Sequence, residues 1–206
     1  MKKNKTEIER NINIFLLFFF FFVFSFPFFP QEKKVFFAGG CFWCMESPFD
    51  KTKGVLATRA GYLGGTKESA NYEEVSKGET DHLEAIEITY NDEEVKLEEL
   101  LAIFWQNIDP YDGEGQFCDK GKQYRSAFFY QEKAEKKIFE ESLLKAKLDK
   151  EKVKTLLSPF STFYPAEEYH QDYYQKNPLR YKFYRYNCGR DKRLQEIHQK
   201  ERKKEK

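Results

Sequence analysis

KVFFAGGCFWCMESPFD, Lys34 to Asp50, sets the reading of the whole chain. Val35 to Gly39 is a short apolar run closed by glycine, the pattern of a buried strand. Cys41 to Asp50 then has helical character, stopped near Pro48 or shortly after by the KTKG turn. A strand therefore enters a helix through Gly39-Gly40-Cys41, and the two glycines permit the tight turn. A thiol attacks as its thiolate, and a free cysteine has a pKa of about 8.5. At a helix start, unpaired N–H groups and the positive helix end would face the Cys41 sulfur. Phe42 and Trp43 beside it suit a substrate with a small apolar group next to the reacting atom. The segment alone leaves three readings open: disulfide exchange on Cys41 and Cys44, other cysteine chemistry, or a buried small hydrophobe.

Working outward, Val55–Tyr62 reads as a second strand. LEAIEITY, Leu83–Tyr90, alternates as a half-buried strand does. Leu97–Asn107 is an amphipathic helix with Leu100, Leu101, Phe104 and Trp105 on one side, ended before Asp109-Pro110. Ser126–Tyr130 is a further strand, 131–150 a long helix rich in Glu and Lys, and Val153–Pro159 a last strand. Beyond it the chain is polar and aromatic with little period, as loops wrapping a surface would be. KERKKEK at the end reads as a frayed charged tail. The class is α+β, a two-layer sandwich of a mixed or antiparallel sheet with packed helices and a long loop-rich C-terminal segment. Residues 1–30 form a leader, 31–190 the domain and 191–206 the tail.

The chain has 206 residues, with 35 Lys and Arg against 34 Asp and Glu, so it carries no large basic field for nucleic acid. Near the N-terminus a basic start precedes Ile14–Phe24, a run without a polar residue, and Pro27 and Pro30 follow. This is the pattern of a secretory signal peptide, or of a marginal membrane tether when counted through Phe29. No small-x-small cleavage site is evident. Export to a periplasm or cell envelope is expected, with the leader cleaved or kept as a tether. The four cysteines are Cys41, Cys44, Cys118 and Cys188, and the three histidines stand singly, so redox chemistry is favoured over a metal site.

Four segments, in order, closely resemble those of the peptide methionine sulfoxide reductase A family. They are GGCFWCMESPFD (Gly39–Asp50), ANYEEVSKGETDHLEAIEITYN (Ala70–Asn91), FCDKGKQYRSAFFY (Phe117–Tyr130) and PAEEYHQDYYQKNP (Pro165–Pro178). The resemblance implies reduction of methionine-S-sulfoxide, free or in proteins, with Cys41 as nucleophile. It makes Glu84 the acid that protonates the sulfoxide oxygen, with Tyr72 and Tyr124 holding that oxygen. Asp119 matches an aspartate bound through water near the site, and Phe42 and Trp43 match the aromatic pair that houses the methyl group. The sulfenic acid left on Cys41 would be resolved by Cys188, or by Cys44 as the alternative. The resulting disulfide would be reduced by thioredoxin or another dithiol, with no bound cofactor and no metal, in a monomer. Cys118 matches no role and reads as incidental, Glu46 as a helix or pocket-wall residue and His82 as a support for its loop. One departure is Asp81-His82-Leu83-Glu84, where the family usually has Gly-His-Ala-Glu.

Two rivals remain beside this. A thioredoxin-like oxidoreductase would need Cys41 and Cys44 but not Glu84, and an exported interaction module would turn over no sulfoxide.

Overall fold

The computed structural model describes residues 31–203. The apolar leader run lies outside the described residues, and no helix among those described is long and apolar enough to cross a membrane. Strands β1 (Glu32–Gly39), β2 (Val55–Leu63) and β3 (Leu83–Asn91) come first, and β4 (Gly115–Gln116) and β5 (Asp119–Lys120) make a small separate hairpin. With β6 (Ser126–Tyr130), β7 (Leu156–Pro159) and β8 (Phe163–Pro165) they complete a main sheet ordered β7-β6-β1-β3-β2-β8. Its neighbours run antiparallel except β6 and β7, which are parallel. The expected mixed sheet of an α+β fold is what forms.

Strand β1 is apolar on both faces because it is covered on both. Val35 and Phe37 face a core shared with the helices, while Phe36 and Ala38 face the other side. Helices α1 (Phe42–Asp50), α2 (Tyr72–Ser76), α3 (Leu97–Gln106) and α4 (Lys133–Lys145) follow in chain order. Phe37 is fully buried, stacked on Phe104 of α3 at 4.7 Å and on Phe49 of α1 at 5.5 Å between centroids. Opposite, Phe36 meets Phe160 at 4.4 Å and Phe163 at 5.6 Å. The aromatic excess thus serves both sides of one sheet.

The C-terminal segment is more helical than the loop-rich reading, and the charged tail read from 191 onward lies in a helix as far as Lys203, with 204–206 outside the described residues. After β8 and an irregular stretch come helices α5 (Tyr173–Lys176), α6 (Pro178–Asn187) and α7 (Arg190–Lys203). Pro178 occupies the first turn of α6, where its missing N–H costs no hydrogen bond. Helix α7 buries Leu194 and Ile197. Its first residue, Arg190, is 1% exposed and gives hydrogen bonds to the carbonyls of Gly39 (3.1 Å) and Asn107 (2.6 Å). A guanidinium so placed joins the end of β1, the end of α3 and the C-terminal helices.

A Cβ at Gly61 would lie 2.4 Å from the Tyr164 carbonyl oxygen of β8, a backbone atom that cannot rotate away. Gly61→Ala should lower stability by about 1–3 kcal/mol. The check is a lower urea midpoint at unchanged slope.

Candidate active site

Gly40 has φ +81, a left-handed conformation that favours glycine, and a Cβ there would sit 2.7 Å from Gln116 Cβ. This turn delivers Cys41 to the N-cap position of α1. No side chain of the helix's own caps it. Carboxyl groups from elsewhere do so instead: Phe42 N–H donates to Glu84 Oε2 at 3.1 Å, and the Cys41 N–H donates to Asp119. Glu84 stands on β3 on the same face as Ile86 and Ile88, opposite Tyr62 of β2, and is 2% exposed. Alternation along β3 therefore aims the carboxyl under the helix.

Cys41, Phe42, Trp43, Tyr72, Glu84, Asp119, Tyr124 and Tyr184 enclose a pocket of about 80 Å³. Seven of the eight were singled out from sequence, and the structure brings all seven together. Tyr184 was missed. It lies on α6, in a segment without period, and donates to Asp119 Oδ2 at 2.5 Å. The Trp43 indole is fixed from both sides, stacked on Tyr173 at 3.8 Å and donating to His170 Nδ1 at 3.1 Å. His170 is thereby a neutral ring with its proton on Nε2, and burial pushes its pKa down. Glu167 is a further missed residue: it accepts from the Tyr62 hydroxyl and the Tyr72 N–H, both at 2.8 Å, locking Tyr72 into the wall.

The electrostatics reverse one expectation. The helix end was to lower the Cys41 pKa, but the first N–H groups of α1 are already taken by carboxyls. Burial, then the hydrogen bond with the Cys44 thiol, then the Glu84 charge push the Cys41 thiol well up. Burial likewise pushes the Glu84 carboxyl up to about 8, so at neutral pH it holds a proton it can donate. Tyr72 and Tyr124 are raised too, by burial and then by Glu84, and stay neutral hydroxyl donors. A proton donor, two hydroxyls and a thiol thus converge in a space walled by aromatic rings.

Cys188 was expected to resolve Cys41 and Cys118 to be incidental. They are bonded to each other, which corrects the second reading, while Cys41 and Cys44 are free. Cys118, Asp119 and Cys188 place their ligand atoms within 4.8 Å of one another, but the joined sulfurs offer no thiolate to a metal. Glu46, read as a helix or pocket-wall residue, lies on α1, fully buried outside the pocket lining, and accepts from Asp172 N–H at 3.3 Å. Burial raises its pKa to about 8. His82 supports its loop as expected, accepting from Gly65 N–H at 3.2 Å and contacting the Thr66 carbonyl at 2.8 Å.

A family model for peptide methionine sulfoxide reductase matches residues 33–202. Among similar proteins, a peptide methionine sulfoxide reductase of Halalkalibacterium halodurans is 47% identical over 162 residues, covering 77% of this chain and 92% of that one. A Bacillus subtilis enzyme of the same name is 45% identical, covering 77% and 93%. Among solved structures, a Saccharomyces cerevisiae protein in reduced form has a TM-score of 0.65 and 34% identity, covering 71% and 86%. Methionine sulfoxide reductase A of Corynebacterium diphtheriae has a TM-score of 0.63 and 32% identity, covering 74% and 78%.

Glu84 and Glu46 keep protons in the folded chain that the unfolded chain releases above a pKa of about 4.3. The folded state therefore binds more protons, and stability falls as pH rises from about 4.5 towards about 8. Glu84→Gln and Glu46→Gln should each remove up to about 1.4 kcal/mol per pH unit of that slope, read from urea midpoints between about pH 5 and 8.

Proposed function

Because the chain belongs to the peptide methionine sulfoxide reductase family, we propose that it reduces methionine-S-sulfoxide, free or in proteins, to methionine. The observation that carries this is the buried Cys41 thiol sharing a pocket of about 80 Å³ with the protonated Glu84 and two tyrosine hydroxyls. Phe42 and Trp43 receive the methyl group, so the sulfoxide sulfur comes to rest against Cys41. Tyr72 and Tyr124 donate to the oxygen, and Glu84 gives it a proton as the Cys41 sulfur attacks. Cys41 leaves as a sulfenic acid, methionine departs, and the thiol proton of Cys41 replaces the one Glu84 gave. Asp119 and Glu84, by holding the first N–H groups of α1, keep the thiol in position.

Cys188 then condenses with the sulfenic acid, releasing water and forming a Cys41–Cys188 disulfide. Cys118 displaces Cys41 from Cys188, which frees the nucleophile and leaves the Cys118–Cys188 bond. A thioredoxin-type dithiol reduces that bond. The second reading has Cys44 resolve Cys41 directly, and the hydrogen bond between the two thiols favours it. Residues 1–30 support export to a periplasm or cell envelope, with the leader cleaved or serving as a tether.

The test is turnover of both sulfoxide epimers with dithiothreitol. Wild type should reduce the S epimer only, Cys41→Ser should be inactive, and Glu84→Ala should lose about 10²–10⁴-fold in rate. Reduction of insulin disulfides with neither epimer touched would instead support the oxidoreductase rival. Disulfide mapping after one turnover without reductant separates the two resolving thiols. A Cys41–Cys188 bond that accumulates in Cys118→Ser supports the relay, and a Cys41–Cys44 bond in the same variant supports the direct route.

A further inference from the structure

A second, much larger cleft of about 840 Å³ is lined in part by Lys120 of the β4–β5 hairpin, and Cys188 and Phe117 form part of its wall. It contains no residue of the catalytic pocket. Its charges divide into those already paired and those that are not. Lys120 meets Asp112 at 2.6 Å, and Arg193 meets Asp109 at 2.7 Å. Arg125, Lys154 and Glu114 have no side-chain partner among the described residues, and the Arg125 Nε is buried with nothing to bond. The cleft therefore presents two free cations, one free carboxylate and a half-buried disulfide sulfur. A volume of this size suits a small ligand rather than a protein surface, which meets a broad flat face.

We propose that this cleft binds a low-molecular-weight peptide thiol bearing two carboxylates and an ammonium, which reduces the Cys118–Cys188 bond. Arg125 and Lys154 receive the carboxylates, Glu114 the ammonium, and the thiol is held against Cys188. The inference rests on the reading that this disulfide is the oxidised product of turnover, and it adds a small-molecule donor beside the protein dithiol. The ligand's thiolate attacks Cys188 Sγ, forming a ligand–Cys188 bond and breaking the bond to Cys118. Cys118 is exposed, so its leaving thiolate is hydrated and takes a proton from water. A second such thiol attacks the ligand sulfur, and Cys188 leaves as a thiolate and is protonated. Two thiols depart as one disulfide, and the protein disulfide becomes two thiols.

The test uses the full oxidised chain and follows release of the Cys118 and Cys188 thiols by mass spectrometry, with no sulfoxide present. Glutathione is the probe, and 2-mercaptoethanol is the uncharged control. The rate should saturate with glutathione and stay linear with 2-mercaptoethanol. Pairing Arg125→Gln with Lys154→Gln should cut the glutathione rate at low concentration by about tenfold or more, the worth of one charge-assisted hydrogen bond. The control rate should be unchanged. Lys154→Glu, at an exposed position, should act in the same direction if the double variant fails to fold. A linear glutathione rate in wild type, equal effects of the variants on both thiols, or reduction by a protein dithiol alone would each overturn the proposal. Failure of the function reading would be seen separately, as absence of sulfoxide turnover with dithiothreitol.

Discussion

Two carboxyl groups stand where helix α1 would ordinarily be capped by its own side chain, and the site follows from that substitution. Glu84 comes from a sheet strand and Asp119 from a small hairpin, yet both accept from consecutive N–H groups at the nucleophile's turn. Each bond fixes the helix start relative to another layer of the fold. Together they set the distance from sulfur to acid without a flexible element between them. The same bonds use up the donors that would otherwise stabilise a thiolate. The resting protein therefore stores both protons, one on sulfur and one on carboxyl, both on buried groups.

Aromatic packing converts this geometry into a rigid wall. Trp43 is held by a stacked ring on one side and a histidine nitrogen on the other, and Tyr72 by a carboxylate that also receives Tyr62. None of these supports contributes to the reactive set itself. They remove rotamer freedom from groups whose positions matter to within fractions of an ångström.

How much of this was legible varies with the range of the signal. Strands Ser126–Tyr130 and Leu83–Asn91 announce themselves by β-branched and aromatic residues and by alternation, and the structure places them within a residue of the reading. Helix α6 could not be read from its pattern. It buries Tyr181 but leaves Leu179, Phe183 and Tyr186 exposed, so its apolar residues mark the wrong face. Helix α7 hides two apolar residues in a run of charges. Glu84, Tyr72 and Tyr124 carry no local mark of function and were found through motif resemblance. The Cys118–Cys188 pairing joins positions 70 residues apart, which neither spacing nor composition reveals. Arg190 is the extreme case, since a wholly buried arginine contradicts the ordinary preference of its type.

That arginine also bears on the order in which the molecule assembles. Its bond to the Gly39 carbonyl spans 151 positions, from the last helix back to the turn before the nucleophile. Loop-closure entropy must be met before so distant a contact contributes, and contacts of long span slow folding. A chain emerging from a ribosome or a translocation channel can pair its early strands while its final helices are still missing. The end of β1 cannot be clamped until the C-terminus has arrived. Cys41 therefore acquires its finished surroundings among the last parts of the molecule, and a truncated or stalled chain carries the thiol without the site that directs it.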